Sequence, residues 1–332
     1  VLHPRIAVLG RDQHDRPPGL DALPADIVYT DAAGLPAAIP GCEVLLLWDF
    51  FSPALRSAWP FADRLRWIHV AAAGVDAMLF DELVASDVVV TNARGIFDRP
   101  IAEYVLAAIL AQAKQLHLSR DLQRRRTWQH RQTRSVAGQQ VLIIGTGGIG
   151  RATARLLRAV GMRVRGAGRR PIADDPDLGT VVPSSDLIGH VGDVDHLVMA
   201  APLTRQTTGM INAEVLAALR PGAHLINIGR GPQVDESALL DALDSGRGIT
   251  ATLDVFATEP LPEDHPFWGR DDVIVSPHLA GDTDGWRDRL AAQFVELAGR
   301  WLDGRPLVNI VDKERGYSRS DPQATAHQEE VR

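Results

Sequence analysis

Short runs of aliphatic and β-branched residues recur along the chain, each followed by a turn or a helical pattern. A first set is IAVL (6–9), DIVYT (26–30), VLLL (44–47), WIHV (67–70) and VVVTN (88–92). A second is VLIIG (141–145), MRVRG (162–166), HLVMA (196–200), HLINIG (224–229), TATLDV (250–255) and VIVSP (273–277). Nearly continuous apolar strands alternating with helices imply parallel sheets covered on both faces. Two such sets imply an α/β protein with two doubly wound parallel-sheet domains.

Between the sets, DRPIAEYVLAAILAQAKQLHLSR (98–120) places Ile101, Val105 and Ile109 on one face, with Asp98 as a cap and Pro100 in the first turn. This pattern predicts one long helix. A second helical pattern covers about 284–302 and is followed by LVNIVD (307–312). The simplest topology lets that last helix return the chain to the first domain. The second domain, 98–287, is then inserted into the first, 1–97 with 288–332, with a cleft between them. The tail SRSDPQATAHQEEVR is polar and expected to be disordered.

Composition narrows the function classes. The 332 residues are 45% hydrophobic and 23% charged with a net charge of −7, which argues against a nucleic-acid binder. Cys42 is the single cysteine, so neither an internal disulfide nor a two-cysteine metal site is available. No apolar run approaches the ~18 residues that span a bilayer. The opening VLHPRIAVLG has no leader pattern, and a cytoplasmic location is expected.

VLIIGTGGIGRATARLL reads as strand, glycine turn and helix, with Gly145, Gly147 and Gly150 in GxGxxG spacing. The first glycine permits the tight turn and the second lets backbone approach a pyrophosphate. The third lets helix and strand pack, and the helix N-terminus faces the phosphates. In that context the motif predicts dinucleotide binding. Gly168 ends the next strand, where an acid normally holds the adenine ribose, and Arg169 and Arg170 follow. A missing acid beside two arginines suits a 2′-phosphate, hence NADP, with NAD possible. The competing reading is a solvated pair in a loop.

Three chemically versatile residues follow strands of the second set: Arg230 in LINIGRG, Glu259 in LDVFATEPLP and His278 in VIVSPHLAG. Carboxyl ends of parallel strands are where open α/β sheets build sites. Together, beside a dinucleotide site, the three offer an anion grip in Arg230, a proton donor in His278 and, in Glu259, a carboxylate that favours the charged imidazole.

With AAAGVD (71–76), TNARGIFDRPIAEYVL (91–106), GTGGIG, APLTRQTTGMI (201–211), NIGRG, DVFATEPLP and SPHLAG in order, the chain resembles the D-isomer-specific 2-hydroxyacid dehydrogenases over about 40–317. The resemblance implies a flavodoxin-like substrate domain holding an inserted Rossmann-type cofactor domain, a homodimer, and catalysis by Arg230, Glu259 and His278. It implies that the N–H groups of Ala73 and Gly74 hold the substrate carboxylate. It also implies cofactor contacts from Gly148, Ile149, Pro202, Ile228 and Asp254, the last toward the nicotinamide amide.

Glyoxylate and hydroxypyruvate are the expected substrate class, and no membrane partner is expected. Glu259 departs from the glutamine of formate dehydrogenases. Trp48 in LLLWDFFSPAL is expected to line the substrate pocket, while Phe50 and Phe51 suit pocket or core equally. The alternative is a dinucleotide-sensing, corepressor-like binding protein on the same fold.

Overall fold

The structure, a computed structural model, describes residues 3–318, so the tail from 319 onward lies outside the described residues. The chain forms two compact units, Val1–Ile96 with Asp284–Arg332, and Phe97–Thr283. The boundaries expected from sequence, 97/98 and 287/288, fall slightly C-terminal of both crossings.

The first unit holds β1 (Arg5–Leu9), β2 (Asp26–Thr30), β3 (Val44–Leu47), β4 (Trp67–Val70) and β5 (Val89–Asn92), with short helices α1 (Leu35–Ala38), α2 (Ala54–Ala58) and α3 (Asp81–Ala85) between them. All five strands are parallel in the order β2-β1-β3-β4-β5, the flavodoxin-like arrangement. Every residue of β3 and β4 is buried, as expected of strands covered on both faces.

The second unit begins with α4 (Asp98–Ala113), whose Ile101, Val105 and Ile109 are buried at i, i+4 spacing. The single long helix expected over 98–120 is broken. Gln115 is left-handed at φ 51°, and α5 (Leu116–Arg124) starts anew. The break is held from outside the helix. The Arg134 N–H donates to the Ala113 carbonyl, Lys114 Nζ to the Arg134 carbonyl, and Arg131 to the Gln115 amide oxygen. Asp98 also departs from expectation. The N-cap is Phe97, and Asp98 is the first residue of the helix.

There follow β6 (Gln140–Ile144), α6 (Gly148–Ala159), β7 (Arg163–Gly168), β8 (Ile172–Asp175), β9 (Gly179–Pro183), β10 (His196–Met199), α7 (Ala213–Ala218), β11 (His224–Asn227), α8 (Glu236–Asp244), β12 (Thr250–Leu253) and β13 (Val273–Val275). The sheet order is β13-β12-β11-β10-β6-β7-β9-β8, a Rossmann-type order with β8 added at one edge, antiparallel to β9. The last helix, α9 (Trp286–Leu302), starts after left-handed Gly285 and belongs to the first unit. A two-stranded ribbon, β14 (Val311–Asp312) and β15 (Tyr317–Ser318), follows. Among the described residues no helix is long and apolar enough to cross a membrane.

Candidate active site

The carboxyl edge of the second unit's sheet gathers the chemistry. Gly145 follows β6, Ala200–Pro202 follow β10, Arg230 follows β11 by three residues, Asp254 follows β12 directly, and Ser276 follows β13.

The glycine turn is built as its spacing requires. Gly145 has φ 114°, and a Cβ there would lie 2.6 Å from the Ala200 carbonyl oxygen. A Cβ on Gly150 would meet the Gly145 carbonyl oxygen at 2.0 Å, so helix and turn can approach only with glycine at both places. Gly147 faces open space and no side chain caps α6. The first-turn N–H groups are therefore uncapped and open, as a phosphate cradle requires. Gly148 packs under the Asp98 carboxylate, and Ile149 is half-buried in the same turn. Ile228 is buried beneath the edge, while Pro202 is exposed on it. Gly168 ends β7 with Arg169 and Arg170 exposed beyond it.

His278 and Glu259 meet: Nδ1 of the imidazole lies 2.8 Å from Oε2 of the carboxylate. The other oxygen, Oε1, accepts from the Phe256 N–H at 2.9 Å. Burial opposes charge on Glu259. The bonds from His278 and Phe256, with the charges of His278 and Arg230, outweigh it and hold the carboxyl below the usual range. Arg230 thus acts on the same carboxylate. Its Nη1 donates to the Gly229 carbonyl at 2.8 Å.

The segment carrying His278 is stapled by Asp254. Its Oδ1 accepts from Ser276 Oγ at 2.6 Å and from the Leu279 N–H at 3.0 Å, and its Oδ2 accepts from the Ala280 N–H at 2.9 Å. Its carbonyl accepts from the His278 N–H at 2.8 Å. His278 is thereby kept left-handed at φ 53°, a conformation a non-glycine residue holds only when its surroundings enforce it. Burial pushes the Asp254 carboxyl above the usual range despite the bonds from Ser276, Ala280 and Leu279. Behind it the Tyr104 hydroxyl meets Ser276 Oγ at 2.5 Å, and burial raises that phenol to about 12. Sequence reasoning missed Tyr104 and Ser276, because a hydroxyl in an apolar run carries no spacing signal.

In the first unit Ala73 and Gly74 are half-buried in the turn after β4, where Asn92 Nδ2 donates to the Ala73 carbonyl at 2.6 Å. Trp48 is buried, donates to Asp15 at 3.2 Å, and lies under the Arg287 guanidinium at 4.8 Å. It lines a small pocket with Arg11, Phe50, Phe51, Trp286 and Arg287. Phe50 is half-buried there and Phe51 is 55% exposed, which takes Phe51 out of the core.

The family model for the NAD binding domain of D-isomer specific 2-hydroxyacid dehydrogenases matches residues 106–280. Glyoxylate/hydroxypyruvate reductase A of Serratia proteamaculans is 32% identical over 76% of this chain and 82% of its own length. A D-isomer specific 2-hydroxyacid dehydrogenase from Xanthobacter autotrophicus, solved with NADPH and MES, superposes with a TM-score of 0.78. It is 32% identical, over 96% of this chain and all of that one. The NADPH-dependent glyoxylate/hydroxypyruvate reductase of Sinorhizobium meliloti, solved with NADP and sulfate, gives a TM-score of 0.79. It is 27% identical, over 95% of this chain and all of that one. With motif order, sheet order and strand-end chemistry in agreement, the chain belongs to the D-isomer-specific 2-hydroxyacid dehydrogenases.

Proposed function

We propose that this NAD(P)-dependent dehydrogenase works as an NADPH-preferring reductase of small 2-oxo acids of the glyoxylate and hydroxypyruvate class, yielding D-2-hydroxy acids. The observation that carries the reading is the 2.8 Å His278–Glu259 contact, on a carboxylate that also feels the Arg230 charge. The names of the Serratia and Sinorhizobium relatives support the substrate class, and the NADPH and NADP in the Xanthobacter and Sinorhizobium structures support the cofactor.

The glycine cradle fits a dinucleotide, because Gly147 leaves space where the unshielded start of α6 points. Gly145, Gly147, Gly148, Ile149 and Gly150 would hold the pyrophosphate side. Arg169 and Arg170 would take the 2′-phosphate, with Pro202, Ile228 and Asp254 toward the nicotinamide. The bound cofactor supplies the hydride.

Arg230 grips the carboxylate of the 2-oxo acid and polarises its ketone. Within the first unit, Ala73, Gly74 and Trp48 are the proposed substrate contacts. His278 gives its proton to the carbonyl oxygen and recovers one in the reverse direction, while Glu259 stabilises the imidazolium. The active species is a homodimer.

The test is loss of NADPH absorbance against a set of small 2-oxo acids, with His278→Ala beside the wild type. Glyoxylate or hydroxypyruvate should lead the set. The variant should lose about 10²–10⁴ in turnover while still binding NADPH. No turnover of any 2-oxo acid would leave the dinucleotide-sensing binding protein as the better reading. Near-normal turnover in folded His278→Ala would remove His278 from the chemistry.

A further inference from the structure

Gln233 sits in the turn between β11 and α8, three residues beyond Arg230. A glutamine in a turn ordinarily faces water, yet this one is fully buried. Its amide oxygen accepts from the Arg230 N–H at 2.7 Å. Its Nε2 donates to two consecutive carbonyls, Ala201 at 3.1 Å and Pro202 at 3.2 Å. Both amide hydrogens and the oxygen are therefore engaged. The backbone reinforces the link, since the Gln233 N–H donates to the Arg230 carbonyl at 3.2 Å. Gly229 makes room for it: a Cβ there would fall 2.2 Å from Gln233 Oε1. On the far side, Thr207 Oγ1 also donates to the Pro202 carbonyl, at 2.7 Å.

We infer that Gln233 is a positioning residue for the reduction, tying the backbone of Arg230 to the Ala201–Pro202 strap after β10 so that the guanidinium is aimed before the 2-oxo acid arrives. This rests on the reading of Arg230 as the carboxylate anchor.

The physical basis is the double character of the amide. One planar group must accept from one strand end and donate to the next, which neither a carboxylate nor an aliphatic side chain can do. Losing it leaves the Arg230 N–H and the Ala201 carbonyl without this partner, while Pro202 keeps the bond from Thr207, and the strand ends must shift to recover bonds. A substrate held by a planar guanidinium is sensitive to such a shift, because bidentate contact needs the fork in register with the carboxylate. The glycine turn at Gly145–Gly150 lies on a different strand end, while the Ala201–Pro202 strap carries one proposed cofactor contact, Pro202. Cofactor affinity should therefore change less than substrate affinity.

The test uses the full chain, with Gln233→Met as the near-isosteric apolar change and Gly229→Ala as an independent way to displace the same amide. Three quantities are read: the thermal midpoint, the Kd for NADPH from quenching of tryptophan fluorescence, and KM and kcat with glyoxylate. Both variants should raise KM for glyoxylate by about 10- to 100-fold, the range expected for a misplaced binding group, with kcat falling less. The NADPH Kd should rise by a smaller factor than the KM for glyoxylate, since the glycine turn itself is not bonded to the amide.

A KM within twofold of wild type in either folded variant overturns the inference. So does failure of both variants to fold, which would assign the amide a structural role alone. Arg230→Lys separates this from the reading beneath it. If that variant keeps a wild-type KM, Arg230 is not the anchor and the proposed function is at fault. If it is impaired while the Gln233 and Gly229 variants are not, only the tie fails.

Discussion

Glu259 touches His278 with one oxygen and the Phe256 N–H with the other, so an amide at this position tests charge with little change of shape. In Glu259→Gln the amide oxygen can still accept from Phe256, and its NH₂ then faces Nδ1, which must accept. That arrangement favours neutral imidazole, whereas the native carboxylate favours the charged one. Turnover in reduction should therefore fall by up to about 10²–10⁴, the worth of general acid catalysis. It must be measured where chemistry limits the rate, and an unchanged turnover there would separate Glu259 from proton transfer. The acid side of the pH dependence is governed by Glu259 itself. Its depressed carboxyl keeps the pair charged as pH falls through the ordinary carboxylate range, and the pair is lost only below it.

The proposed cofactor preference turns on the end of β7. If Arg169 and Arg170 bind the 2′-phosphate, two partly solvated charge-assisted contacts suggest about 10²-fold preference for NADPH over NADH in kcat/KM. The double change to alanine should erase most of it by weakening NADPH, and the preference should shrink as salt rises. Equal wild-type efficiency with the two cofactors would leave the arginines as a solvated loop. Placing an acid at 168 is less simple than the sequence suggests. A Cβ there would come within 2.9 Å of the Thr146 methyl, so Gly168→Asp should shift preference toward NADH only when combined with Thr146→Ala.

In the other sheet, β4 and β5 carry a buried polar pair. Trp67 Nε1 donates to Thr91 Oγ1 at 2.9 Å, and His69 Nδ1 shares that hydroxyl at 2.8 Å, as donor or acceptor according to its tautomer. His69 Nε2 has no hydrogen-bond partner among the described residues. Burial lowers His69 to about 3. Because the folded value lies below the unfolded one, stability is complete above about pH 6.5 and drains as pH falls toward 3. The slope is about 1.4 kcal/mol per pH unit for one such group. His69→Phe should flatten that slope in thermal melts between pH 6.5 and 4. It should also add a pH-independent loss of about 1–3 kcal/mol from the stranded Thr91 hydroxyl. An unchanged slope would show that His69 is not the titrating group.

The same elements show what the sequence discloses. Runs such as VLLL and HLINIG announce buried parallel strands because the environment on both faces is uniform. Arg230, Glu259 and His278 announce themselves because each follows such a run. β8 was invisible, since IADD is half charged and reads as loop. Its Asp175 is buried only because Arg151 of α6 binds both carboxylate oxygens at 2.8 Å. The break at Gln115 was equally hidden, because its cause is Arg131 and Arg134 folding back from later in the chain. Gln233 and Ser276 read as ordinary polar turn residues, and only tertiary contacts give them partners.

At the scale of the whole molecule, charge and exposure point to self-association. Between residues 114 and 134 seven Lys and Arg side chains stand against one acid, Asp121, in a chain whose net charge is −7. The remainder is accordingly strongly acidic. Trp128 crowns this basic segment at 99% exposure, with Leu116 and Leu118 also exposed on α5. A fully exposed tryptophan amid arginines has the composition of an interface centre. The protein should therefore scatter light as a particle of twice 36.1 kDa at micromolar concentration. Trp128→Ser should weaken the association by roughly 30-fold or more, as expected for an interface anchor worth about 2 kcal/mol. Raising the salt should weaken it further, because the attraction between basic segment and acidic body is screened. A wild-type particle of 36.1 kDa would rule the dimer out. A dimer indifferent both to Trp128→Ser and to salt would place the interface on another face.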